Sequence, residues 1–201
     1  MEKNMTEGNS LKQILCFAFP LLLGNLFQQL YNLADSIIVG KTLGIDALAS
    51  VGASGSLNFL ILGFCIGLCS GFAIPVAQTF GAKEYSLMRR YVVNAMALAA
   101  GISITFAVVT ALFCRQILVL IRTPENILDG AYRYLIIIFI GIPFTVLYNL
   151  AAGILRSLGD SKSPFLFLAI STIINIIGDL VCILVFGMGV EGAAISTIVA
   201  Q

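Results

Sequence analysis

Ser171-Thr172-Ile173-Ile174-Asn175-Ile176-Ile177-Gly178-Asp179-Leu180-Val181-Cys182 lies inside an apolar run from about Phe165 to Phe186. A run of that length crosses a bilayer as a helix. A carboxylate at such depth is costly unless it faces other protein or an aqueous cavity. Thr172, Asn175, Asp179 and Cys182 are spaced i, i+3, i+7, i+10, so they share one face of a helix that is otherwise apolar all round. A polar stripe with an acid at its centre marks where function is expected.

The composition sets the class. Of 201 residues 59% are hydrophobic and only 10% charged, against about 25% charged in soluble domains. The apolar runs are continuous and do not alternate, which argues for helices over a membrane barrel. The expected fold is all-α: a polytopic membrane protein with five complete transmembrane helices and the start of a sixth. Net charge is +1 and no basic cluster exceeds Arg89-Arg90, so nucleic acid is not expected as a partner. There is no His, and Cys16, Cys65, Cys69, Cys114 and Cys182 sit in or beside apolar runs. They read as small packing residues. No Walker-type loop and no metal-ligand cluster is present, so neither an enzyme nor a bound cofactor is expected.

Along the chain, residues 1–10 form a polar tail and 11–201 a single transmembrane lobe. The first helix is expected from Leu11 to Gly40, about 45 Å at 1.5 Å per residue. Pro20 removes one helical hydrogen bond there and gives a bending point. Asn25, Gln28, Asn32 and Asp35 repeat the i, i+3, i+7, i+10 spacing and make a second polar stripe ending in a second acid. A second helix is expected from Ala47 to Phe80, with Gly63, Gly67 and Gly71 forming a groove for a neighbouring helix. A third spans Tyr91–Phe113, followed by a mixed, partly interfacial segment from Arg115 to Asp129 broken at Thr123-Pro124. A fourth covers Ala131–Leu155, and the opening stretch is the fifth. The sixth segment, Gly192 to Gln201, is about half the length of a span, so the expectation is a piece of a longer protein.

Orientation follows from the cations. Lys3, Lys12, Lys83, Arg89, Arg90, Arg156 and Lys162 fall on one side, and Lys41, Arg115, Arg122 and Arg133 on the other. Seven against four places the N-terminus in the cytoplasm, with the plasma membrane as location.

The first and fifth helices cross in the same direction. Counting back from their ends puts Asp35 and Asp179 within about 5 Å of one depth. Taken singly, each acid has a plain reading as hydrogen-bonded helix glue, and Asp35 one as an interfacial residue. Taken together with their stripes, they predict a shared site. Two carboxylates in a low-dielectric cavity resist double ionisation, so the pair can hold and release a proton. Carboxylate, Asn and Thr oxygens equally supply hard ligands for Na⁺, at Asp35, Asn175 and Asp179.

Pro20-Leu21-Leu22-Leu23-Gly24-Asn25-Leu26-Phe27-Gln28-Gln29-Leu30-Tyr31-Asn32-Leu33-Ala34-Asp35 resembles the first helix of the MATE multidrug exporters. Gln78-Thr79-Phe80-Gly81-Ala82-Lys83, Leu155-Arg156-Ser157-Leu158-Gly159-Asp160-Ser161-Lys162-Ser163-Pro164, Asn175-Ile176-Ile177-Gly178-Asp179 and Gly192-Ala193-Ala194-Ile195-Ser196-Thr197 resemble later motifs in the same order. The resemblance covers the chain after residue 11. It implies one lobe of a twelve-helix transporter, with the C-terminal lobe absent, and drug export by antiport against H⁺ or Na⁺. It also implies an acid network of Asp35, Asn175, Asp179 and Thr197, joined by Tyr134 and Asn149, and a bending role for Pro20. The expected partners are a small-molecule substrate, the lipid bilayer and the missing lobe.

Asn25, Gln28, Asn32 and Thr172 complete the candidate cavity. Two alternatives stand beside antiport: a flippase for a lipid-linked precursor, and an inactive fragment of a transporter. A flippase cavity for an anionic substrate would be rich in Arg and Lys, and here only Arg156 and Lys162 lie near the fourth and fifth helices.

Overall fold

The computed structural model describes residues 10–201. Residues 1–9 of the expected polar tail, Lys3 among them, and the side chains of Lys12 and Cys16 lie outside the described residues. Seven α-helices follow in order: α1 (Ser10–Leu43), α2 (Ile45–Gly81), α3 (Tyr85–Leu120), α4 (Glu125–Ile140), α5 (Ile142–Ser157), α6 (Lys162–Leu180) and α7 (Val190–Val199). A π-helical turn, Val181–Val185, extends α6. No strand occurs among the described residues. Three helices, α2, α3 and α6 with its π turn, are long and apolar enough to span a membrane, and α4 with α5 makes a fourth, broken span.

The helices overrun the apolar borders that were expected to end them. The helix α3 takes in Arg89 and Arg90 at its start and Arg115 near its end. Arginine is a good helix former and carries its charge to the interface on a long stem, so a polar flank does not stop a helix. What ends these helices is backbone geometry. Gly44 at φ 90° separates α1 from α2, and Lys83 and Arg122 take left-handed conformations after α2 and α3. The expected interfacial segment between Arg115 and Asp129 therefore shrinks to a short turn before Glu125.

The expected fourth helix, Ala131–Leu155, is two helices meeting at Gly141 with a 50° bend. Pro143 lies in the first turn of α5. Its missing N–H and its ring remove the hydrogen bond to the turn before, which breaks a continuous helix there. The elbow is filled: a Cβ on Gly141 would stand 2.4 Å from Ile198 Cδ1 on α7.

Packing places α1 along α6, α2 against α3, α4 and α5, and α7 between α4 and α6. The α1–α6 pair runs in register, with Gly24 facing Leu168 and Phe27 edge-on to Phe165 at 5.4 Å. On the roughly opposite face of α1, Leu22, Leu26, Leu30, Leu33 and Ile37 are exposed.

Among the described residues no helix enters the Gly63, Gly67 and Gly71 groove, because a Cβ at any of the three would meet nothing within 4 Å. Close packing uses Ala95, Ala99, Ser103 and Ala107 of α3, all buried at four-residue spacing. Small side chains serve close approach as glycine does, since attraction between helices in lipid comes from dispersion contacts.

Candidate functional site

Asp35 and Asp179 are the only buried acids among the described residues. Their helices, α1 and α6, bring the two carboxyl groups to within hydrogen-bonding reach of each other. The two are not equivalent. Asp35 borders a cleft of about 1060 Å³, whereas Asp179 has no exposed surface and does not line it. Each carboxyl keeps one buried oxygen, Oδ1, without a hydrogen-bond partner among the described residues.

Asn175, one turn before Asp179, is also fully buried. Oriented to satisfy its neighbours, its amide donates to Asp179 Oδ2 at 3.3 Å and accepts from the Thr197 backbone N–H at 3.3 Å. Ser196 Oγ donates to the Asn175 carbonyl at 2.8 Å and lies within reach of Asp179. Thr197 Oγ1 donates to the Ala193 carbonyl at 2.9 Å and accepts from the Tyr31 hydroxyl at 3.0 Å. The network thus ties α1, α6 and α7 together around the two acids. Tyr134 of α4 is buried and lines the same cleft.

The other expected residues line the cleft and do not touch the acids through any hydrogen bond. Asn25 and Gln28 are exposed along it. Asn32 donates to Gln29 Oε1 at 3.3 Å, Asn149 to the Thr145 carbonyl at 2.8 Å, and Thr172 to the Leu168 carbonyl at 2.8 Å. Pro20 also borders the cleft and sits inside an unbroken α1. Cys182 departs from its stripe, because the π turn adds a residue after Asp179 and points Cys182 at Gly192.

Sequence reasoning missed Tyr31 and Ser196. The signal for Tyr31 was present, since it lies three residues after Gln28 and four before Asp35, on the same stripe. Ser196 carried a fainter one, a small hydroxyl beside Thr197 in an apolar segment. Its position is fixed by Gly178, where a Cβ would stand 2.6 Å from Ser196 Oγ.

Helices long enough to span, a broken span and two buried acids, one on a polar-lined cleft and one behind it, define one lobe of a helical membrane transporter. Residues 20–181 match the family model described as MatE, and the chain belongs to that family. It is 36% identical over 198 residues to "Probable multidrug resistance protein YpnP" of Bacillus subtilis, covering 98% of this chain and 44% of that protein. Among solved structures it is similar to a MOP superfamily transporter from Pyrococcus furiosus, with TM-score 0.90 and 27% identity over 96% of this chain and 42% of that one. A multidrug resistance MATE family transporter in an outward-facing conformation gives TM-score 0.89 and 27% identity, with 96% and 43% covered. The chain spans less than half the length of each of these three proteins.

Proposed function

We propose that the chain is the N-terminal lobe of a secondary antiporter that exports organic, often cationic and amphipathic compounds in exchange for H⁺ or Na⁺. It would work in the plasma membrane with its N-terminus in the cytoplasm and a second lobe completing the cavity. The observation that carries this reading is the Asp35–Asp179 pair, one carboxyl on the cleft and one behind it. Two facing carboxylates in a low-dielectric interior favour binding one positive charge between them. A single proton satisfies the pair, and so does Na⁺, because the two unpartnered Oδ1 atoms are hard donors.

Binding and release of that charge changes how strongly α1 is held to α6 and α7. A cation bound better by one arrangement of α1 than another shifts the balance between inward- and outward-open forms. Pro20, on the border of the cleft, leaves α1 one hydrogen bond short, which makes the helix deformable there.

The test is efflux of a cationic dye from vesicles holding the full protein, under separate pH and Na⁺ gradients. Dependence on one gradient names the ion. Asp35→Asn and Asp179→Asn are each expected to abolish driven efflux, and unchanged efflux in both at matched expression refutes the reading.

A further inference from the structure

Among the described residues the cleft is lined by two charged side chains, Asp35 and Arg156. They lie at opposite ends. Arg156 sits in the last turn of α5, level with the turn that opens α6, and Asp179 lies seventeen residues along α6 from Lys162. At 1.5 Å per residue that is about 25 Å along the axis, so the cation and the acid pair are separated by roughly the length of the cleft. Arg156 is half-buried, forms no salt bridge and donates no side-chain hydrogen bond among the described residues. Tyr148, about two turns earlier on α5, is close enough to feel its charge.

A guanidinium that served only to orient the chain would extend from the helix end into the interface, as long cationic side chains do. Arg156 borders the cleft, and its five donors find no acceptor in the described lobe. Between it and the acids the wall carries neutral amides, Asn25, Gln28, Asn32, Asn58 and Asn149. These hydrogen-bond to either sign of polar group without choosing between them.

We propose that Arg156 is the anion-recognising residue of the substrate cavity. The compounds this lobe accepts would then carry a carboxylate or similar anion at the end that enters from the cytoplasm, together with an apolar body. This goes beyond the antiport reading and rests on it in taking the cleft as the substrate passage and the Arg156 end as the cytoplasmic one. Arg in a partly desolvated wall pairs a planar carboxylate in two-pronged fashion, which Lys reproduces only as a point charge.

The test compares two dyes in direct binding by fluorescence anisotropy, with no ion gradient, on the full protein in detergent. Rhodamine B carries a free carboxylate, and its ethyl ester is the same cation without it. Wild-type protein is expected to bind rhodamine B about tenfold more tightly than the ester, as one charge-assisted pair allows. Arg156→Gln should erase that preference by weakening rhodamine B alone, and Arg156→Lys should retain part of it. A wild-type protein without the preference overturns the proposal, whether it binds both dyes equally or neither. So does an Arg156→Gln variant that weakens both dyes alike, which would assign Arg156 to the structure of the cytoplasmic end. Because no gradient is applied, these outcomes are independent of whether Asp35 and Asp179 couple an ion.

Discussion

The Tyr31 hydroxyl donates to Thr197 Oγ1 at 3.0 Å, joining α1 to α7 across 166 positions of sequence. The bond lies directly beside the acids, and it fastens the helix that carries Asp35 to the helix that supplies Ser196. Tyr31→Phe removes the donor and Thr197→Val the acceptor. Interhelical hydrogen bonds in membranes are worth about 0.6 kcal/mol, so each single change should lower stability to SDS unfolding by about that much or more. The double variant should lose less than the sum, because both changes break the same bond. Strict additivity would show that the two hydroxyls act separately.

Gly178 and the glycines of α2 should respond in opposite ways to alanine. At Gly178 a Cβ would stand 2.6 Å from Ser196 Oγ and 3.2 Å from its Cβ. Gly178→Ala is expected to cost about 1–3 kcal/mol through overpacking, and Ser196→Ala in the same chain to recover part of it. Expression level and thermal stability in detergent measure both.

Gly67→Ala and Gly71→Ala meet open space and gain helix propensity, about 0.5–1 kcal/mol in a helix interior. Each should leave thermal stability unchanged or raised. A marked loss in the full protein would locate a further helix against this face of α2.

Asp160 fastens the start of α6. Its carboxylate accepts from the Ser163 hydroxyl at 2.6 Å and from the backbone N–H groups of Ser163 at 3.1 Å and Lys162 at 3.0 Å. The Ser163 hydroxyl first, and then these N–H groups, hold the carboxyl below its ordinary range. A lowered folded-state value means the stabilisation is present at neutral pH and fades as pH falls below about 4, through the ordinary carboxylate range and then the lowered one. Asp160→Ala should therefore cost about 1 kcal/mol near pH 7, with the gap to wild type narrowing in melts near pH 3.

The residues show why some of this was legible in sequence. Asp35 and Asp179 stood out because a carboxylate inside a long apolar run has few tolerable surroundings, and helical spacing gathers its polar neighbours onto one face. Spacing along one helix cannot say which neighbouring helix that face meets. Ser196 therefore stayed hidden, and the α2 glycines were assigned to packing that Ala95, Ala99 and Ser103 of α3 perform. The bend at Gly141 needed attention to Pro143, whose effect falls on the preceding turn and not on its own. The π turn left no trace, because a one-residue insertion into an apolar helix changes its register and not its composition.

Asp179 has no surface of its own on the cleft, and Asp35 stands in front of it. Seen from the cleft, the pair is a vestibule and an inner room. Under the proposed antiport, an ion taken up from the cleft would meet Asp35 before Asp179. A compound lodged against Asp35 would then stand across that approach. On that reading, occupancy of the cleft and traffic to the inner acid would take turns, set by the order in which two side chains are stacked.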